Sequence, residues 1–220
     1  MAIMIGNARI SEYGTVNGKK GDQTGREVMT QTWATGGTWS QVIRPKSAKV
    51  AEKIAATMKA ACANNNIGYS QADRMSLNYY AQLYKYNLAK VPRCNCDCSS
   101  LVAVCCRAAG VMVNPYMYTG NELQLLKATG AFTVYTGADY TKASGKLKTG
   151  DILLRPGHTA IVTQGAAVKK TTKKKADPLD EVARDVIAGK YGNGDTRIKK
   201  LKAAGYDPKK VQARVNALLK

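Results

Sequence analysis

The chain of 220 residues has one histidine, one phenylalanine and only 15 acidic side chains against 34 basic ones. No apolar run approaches the roughly 20 residues that span a bilayer, so the chain is not expected to insert into a membrane. Its start, Met-Ala-Ile-Met-Ile-Gly-Asn, lacks the basic-then-apolar order of a secretory signal. Synthesis in a cytoplasm, without an export address of its own, is the expectation. The shortage of acid leaves a net charge of +19, which points to a polyanionic partner: nucleic acid, an anionic membrane or the acidic polymers of a bacterial wall. No nucleic-acid motif appears and the basic residues are spread rather than striped, which argues against specific nucleic-acid binding.

Six cysteines would fit a secreted disulfide framework, but five of them fall between Cys94 and Cys106. That crowding suits a reducing compartment better than a set of staples. Cys94, Cys96 and Cys98 alternate, whereas structural zinc uses cysteine pairs two to four residues apart with a second pair further on. Neither a metal nor another cofactor is expected. An apolar fraction of 45% with 22% charged residues is ordinary for a folded protein. Twelve tyrosines and two tryptophans favour half-exposed surfaces that contact sugar or peptide.

Five lysines lie between residues 169 and 175, in a stretch that repels itself and offers nothing to a core. We read 1–168 as one domain, 169–177 as a Lys-rich linker and 178–220 as a second domain. The lysines serve as a solvated spacer, with adhesion to anionic wall polymers as an added role.

Upstream of the linker, Val28 to Trp33 and Trp39 to Ile43 read as irregular strands between Gly-rich turns. Ser47 caps a helix whose apolar residues Ala51, Ile54, Ala55, Met58 and Ala61 recur at three- and four-residue steps. A second helix is expected to begin at Ser70, with Asp73 three places on, and to run until Pro92 stops the chain. A third spans Cys98 to Ala109 and closes at Gly110, and a short one covers Asn121 to Ala128. Strands follow at Phe132 to Tyr135, Asp151 to Leu154 and His158 to Thr163, with a turn at Pro156-Gly157. Helices first and an antiparallel sheet after make an α+β fold. In the tail, Asp177-Pro178, Asp195 and Asp207-Pro208 look like caps and Gly189 and Gly205 like helix ends, which predicts a small three-helix bundle.

Cys98 stands where a polar turn meets an apolar helix, so its sulfur is expected at the positive end of the helix dipole, as a thiolate. A thiolate needs a base, and His158 is the only imidazole available. It opens an apolar strand directly after a Pro-Gly turn, which places the ring at a sheet edge. Asp97-Cys98-Ser99-Ser100-Leu101-Val102, with Leu147-Lys148-Thr149-Gly150-Asp151-Ile152-Leu153-Leu154 leading to Gly157-His158, resembles the NlpC-type cell-wall peptidases in their phage-lysin branch. The resemblance implies a papain-like first domain, with helices on an antiparallel sheet, that cuts a peptidoglycan amide bond. It also implies an oriented histidine, but the positions about a dozen residues later hold Lys170 and Thr171. The orienting group is unassigned at this level, and the loop holding Asp22 and Gln23 is the candidate site lining.

Independently, Leu179-Asp180-Glu181-Val182-Ala183-Arg184, Gly189-Lys190-Tyr191-Gly192-Asn193-Gly194 and Arg197 resemble the wall-binding repeat of choline-independent phage lysozymes. So do Ala204-Gly205-Tyr206-Asp207 and Val211-Gln212-Ala213-Arg214-Val215-Asn216. The resemblance implies Tyr191, Asn193 and Arg197 as contacts to peptidoglycan or muropeptide. The reading is an endolysin that stays in the host cytoplasm until a separate holin releases it to the wall. Stem-peptide endopeptidase is the leading activity; N-acetylmuramoyl-L-alanine amidase and a non-catalytic wall-binding virion protein are the alternatives.

Overall fold

A computed structural model of the chain describes residues 2–33, 39–166 and 178–219, and the chain divides into two units, Met1–Ala167 and Val168–Lys220. Residues 169–177, with the five lysines, Thr171 and the expected cap Asp177 among them, lie outside the described residues. Among the described residues no helix is long and apolar enough to cross a membrane.

The first unit has a mixed α+β architecture. Strands β1 (Met4–Ala8), β2 (Val28–Thr32), β3 (Gln41–Pro45), β6 (Phe132–Tyr135), β7 (Ile152–Arg155) and β8 (His158–Gln164) form one sheet in the order β2-β1-β8-β7-β3-β6. Every pairing in it is antiparallel. A separate parallel pair joins β4 (Ile67–Tyr69) to β5 (Cys94–Cys96). The helices are α1 (Ala48–Cys62), α2 (Ser76–Leu83), α3 (Cys98–Ala108), α4 (Glu122–Ala128) and α5 (Ala138–Thr141), with a 3-10 turn at Leu88–Lys90.

Alternation along the strands sends side chains to two apolar layers. Ala8, Ile43, Ile152 and Ile161 join the layer that contains Ile54 and Met58 of α1 and Leu101, Val102 and Cys105 of α3. Ile5, Val42, Leu153, Ala160 and Val162 join the other, with Trp33 and Leu147. All nine residues from Cys98 to Cys106 are buried, so α3 is a core helix that is covered all round. Gly6 lets β1 lie directly on α1, because a Cβ there would collide with Met58.

The Lys-Thr-Gly-Asp segment ahead of β7 has a structural job. Asp151 is fully buried and accepts two hydrogen bonds from the Arg44 guanidinium, each 2.7 Å, and one from the Lys148 amide at 2.8 Å. The aromatic rings of Tyr135 and Tyr140 cover the same guanidinium. This bidentate pair fixes β3 to the start of β7, and removing one partner would strand a buried charge at a cost of about 3–5 kcal/mol.

The expected elements stand with three corrections. Ser47 caps α1 through the Val50 amide, and Gly110 (φ 82°) ends α3. The second helix, however, begins at Ser76 rather than Ser70, and it ends at Leu83, well before Pro92, where Lys85 and Tyr86 take positive φ. Ile67–Tyr69 is claimed by strand pairing with β5, and the Ser70 amide continues that pairing to the Cys96 carbonyl. In the second unit, α6 (Pro178–Ile187), α7 (Gly194–Ala203) and α8 (Pro208–Leu218) enclose Val182, Ala183, Val186, Leu201, Val211 and Val215. Asp207 caps α8 as expected, but Asn193 rather than Asp195 holds the cap position of α7. Asp195 falls in the first turn, where its charge still meets the helix dipole favourably.

Gly68 has no room for a side chain, because a Cβ would enter the Gly21 carbonyl. Gly68→Ala is expected to cost about 1–3 kcal/mol and lower the melting temperature by several degrees in thermal denaturation. Gly137→Ala, which meets open space, is the control expected to leave it unchanged.

Candidate functional site

Cys98 is the first residue of α3, and Asp97 caps that helix. The Asp97 carboxylate accepts from the Ser100 amide at 2.8 Å while the Ser100 hydroxyl accepts from the Asp97 amide at 2.9 Å, a reciprocal capping box. Arg74 Nε lies 3.0 Å from the Asp97 carboxylate, and the same guanidinium donates to the Met117 carbonyl. The cap is thereby tied to the loop that leads to α4.

The Cys98 sulfur lies close enough to the backbone N–H of Thr159, the residue after His158, for that N–H to lower the thiol's pKa. The fold has thus closed a separation of 60 residues. Two neighbours reinforce the junction. The Ser99 hydroxyl donates to Glu122 Oε2 at 2.9 Å, and the Thr159 hydroxyl lies 2.7 Å from Glu122 Oε1. One buried carboxyl group at the start of α4 therefore holds the residue beside Cys98 and the residue beside His158.

The His158 ring is oriented from β1. Its Nε2 lies 3.1 Å from Asn7 Oδ1. Gly6 pairs with Ile161, so Asn7 is the diagonal cross-strand neighbour of His158. Asn7 is itself buried, and its Nδ2 donates to the Met29 carbonyl of β2 at 3.3 Å. That bond assigns the amide, leaving Oδ1 toward the ring; Nε2 then carries the proton and Nδ1 keeps its lone pair. Trp39 stacks on the imidazole with centroids 6.0 Å apart and planes 28° apart, and the Arg155 guanidinium lies 5.7 Å from the Trp39 ring centroid.

Burial lowers the His158 pKa to about 4, helped by the charges of Arg155 and Arg9. Burial pushes the Cys98 thiol up to about 11, and Asp97 adds to the shift, while the Thr159 amide and the Ser99 hydroxyl pull the other way. This corrects the thiolate expected from the helix dipole. The positive helix end is already answered by the Asp97 cap, and the sulfur is too buried to hold charge at rest. Both shifts favour the uncharged thiol and the uncharged imidazole.

Asp22 and Gln23 are not brought to this pair by any hydrogen bond among the described residues. Asp22 accepts from the amides of Thr24, Gly25, Arg26, Glu27 and Val28 and serves its own loop. The Gln23 side chain turns back to the carbonyls of Lys20 and Gly21. Residues the sequence reading passed over take the places around the pair: Asn7, Trp39, Glu122 and Tyr69. The buried Tyr69 hydroxyl accepts from Gln71 at 3.2 Å and is close enough to Cys98 for the sulfur to act on its ionisation. A cavity of about 480 Å³ is lined among others by Tyr118, Gly120, Leu123, Leu154, Arg155 and Gly157, the residue before His158, though neither Cys98 nor His158 lines it.

Cys94, Cys96, Cys105 and Cys106 are buried free thiols in the core. Among the described residues no group of three or more His, Cys, Asp or Glu side chains is arranged to hold a metal ion. In the second unit, Tyr191 packs against the bundle core. Arg197 donates to the Gly192 carbonyl at 3.0 Å, to Asn193 Oδ1 at 2.9 Å and to Gln212 Oε1 at 3.3 Å. Asn193 and Arg197 thus share one polar network on the bundle surface, braced to α8.

The family model described as an endolysin-like domain matches residues 5–170, and that of the CW_7 repeat, a cell-wall repeat, matches residues 180–219. No curated protein and no solved structure matches the chain.

The single histidine makes the resting state directly measurable. In ¹⁵N NMR of the imidazole, the Nε2-protonated tautomer is expected at neutral pH, with titration near pH 4 rather than 6.5. Asn7→Ala is expected to shift the tautomer balance, since it removes the acceptor for that proton.

Proposed function

The chain belongs to the endolysin-like domain family, and from that premise we propose that its first unit hydrolyses an amide bond of peptidoglycan with Cys98 as nucleophile and His158 as general base. An endolysin-like domain followed by a cell-wall repeat supports a cell-wall lytic enzyme whose partner is peptidoglycan. The observation that carries the mechanism is the fixed ring. With Nε2–H committed to Asn7, Nδ1 is the nitrogen left to take the thiol proton.

Proton transfer from sulfur to Nδ1 accompanies attack on the carbonyl carbon, because neither partner is charged at rest. The imidazolium so formed keeps its Nε2–H bond to Asn7 and returns the Nδ1 proton to the leaving amine. A thioester on Cys98 remains. Water, deprotonated by the same Nδ1, then attacks the thioester, and the proton goes back to sulfur as the free acid leaves. The oxyanion is held by the Cys98 and Ser99 N–H groups at the start of α3, the Ser100 N–H being engaged by Asp97, and by the Tyr69 hydroxyl.

The cavity beside His158, with Tyr118 and Leu123 on its wall, is where the peptide lies. Residues 1–168 form the hydrolase, 169–177 the linker and 178–220 the wall-binding module, in which Asn193, Arg197 and Tyr191 contact muropeptide. The scissile bond is assigned to the stem peptide. Such an enzyme, made inside the host cell, depends on a separate holin to reach the wall.

Zymography on purified Gram-positive walls tests the proposal. Cys98→Ala and His158→Ala are each expected to reduce lysis about a thousandfold or more; undiminished lysis by either variant rules the mechanism out. Mass spectrometry of the released muropeptides is expected to show free amines within the stem peptide. Release of intact stem peptides from the sugar would instead mark a muramoyl-alanine amidase.

A further inference from the structure

Glu122 is fully buried, and among the described residues no cation lies within ion-pair distance of it. Its two oxygens face hydroxyls of Ser99 and Thr159, and the Thr159 hydroxyl lies also 3.0 Å from the Leu153 carbonyl. Three oxygen–oxygen contacts of hydrogen-bond length therefore share the protons of two hydroxyls. Were Glu122 ionised, Thr159 would have to choose between Glu122 and Leu153. One close oxygen pair would then face each other without a proton, and a buried charge would lack a counter-ion.

We infer that Glu122 is held as an uncharged carboxylic acid that positions Cys98 against His158, and that its ionisation loosens this junction. The third proton completes a directed chain: Ser99 donates to Glu122 Oε2, Glu122 Oε1–H donates to Thr159, and Thr159 donates to the Leu153 carbonyl. Each contact then has one proton. The chain links the first turn of α3 to the start of β8, the two backbones that carry the sulfur and the imidazole. An uncharged Glu122 also adds no repulsion to negative charge on sulfur during attack.

The surroundings agree. Burial pushes the Glu122 pKa up to about 7, outweighing the hydroxyls of Thr159 and Ser99 and the more distant Arg74, which pull it down, while Asp97 raises it further. The titratable groups near it are Asp97, Cys98 and Cys106 on α3 and Arg74 ahead of α2. Arg74 is engaged by Asp97, and burial raises both thiols above their ordinary range. On β8 the titratable side chain is His158, bonded to Asn7; on β6, against which α4 packs, Tyr135 is stacked on Tyr140.

The protonation half stands on geometry alone, whereas the positioning half rests on the Cys98–His158 mechanism, so the two are tested separately. Infrared spectroscopy of the wild-type protein in D₂O is expected to show a protonated carboxyl band that persists above the ordinary carboxylate range and titrates near pH 7. Glu122→Gln should lack it. No such band at about pH 6 overturns the inference, whatever the enzyme's activity. Glu122→Gln keeps all three hydrogen bonds, its amide N–H replacing the acid proton. Stability from the raised pKa is full below the unfolded value, falls as pH rises toward the folded value near 7 and is gone above it. The melting temperature of the wild type should therefore fall relative to that of Glu122→Gln between pH 5 and 8.

For positioning, lysis by Glu122→Gln at about pH 8.5, relative to its own value at pH 6, should exceed the wild-type ratio about tenfold or more. Glu122→Ala should be impaired at both pH values. Superimposable profiles for the wild type and Glu122→Gln contradict the positioning role.

Discussion

A small hydrogen-bonded junction between the first turn of α3 and the start of β8 is the constraint that the catalytic unit is built to satisfy. The Thr159 amide lies near the Cys98 sulfur, and the Glu122 carboxyl group joins Ser99 to Thr159 by hydrogen bonds. These contacts unite segments 60 residues apart, so they form only after the larger fold has placed them. The layer between α1, α3 and the sheet supplies the driving force, since its residues are mostly aliphatic or sulfur-bearing and almost fully buried. The Arg44–Asp151 pair then fixes where β7 begins, and through the β7–β8 hairpin where His158 stands.

The electrostatics of the site contrast with those of the chain. The sequence carries a net charge of +19, while burial favours the uncharged forms of Cys98 and His158. Arg9 and Arg155 oppose the imidazolium, and Asp97 with burial opposes the thiolate. In the proposed mechanism, Asn7 holds the base in the required tautomer and charge develops only as a carbonyl accepts it.

The sequence made the cysteine at a helix start, the lone imidazole and the α+β order legible because each has a local signature: a capped apolar helix, a Gly-His turn, apolar alternation. Most helix ends were legible for the same reason, from Ser47, Gly110, Asp207 and Gly205. Asn7 was not, since its strand is five residues long, contains a glycine and takes its identity from pairing with β8 across more than 150 positions. Glu122 was equally hidden: an acidic residue at a helix start reads as dipole compensation, and only the fold shows it fully buried between two hydroxyls. The loop at residues 21–25 misled for the opposite reason. Its polar residues suggested a site, yet Asp22 is consumed by the amides of its own turn. Ser70 misled because strand pairing outweighed a local capping pattern.

In the second unit, three short helices share a core of only a few aliphatic side chains, tied by the Asp180–Arg214 pair and the Lys190–Asp185 pair. A module so small has little core stability to spare, and its polar surface network around Arg197 is correspondingly exposed to a ligand. The hydrolytic centre remains the central claim. Its most direct test is to mix the enzyme with wall fragments, quench in acid and locate covalent adducts by peptide mass spectrometry. The account predicts an acyl group on the peptide containing Cys98, absent from the Cys98→Ala protein. Turnover with no adduct on Cys98, or with the acyl group on another side chain, would contradict it.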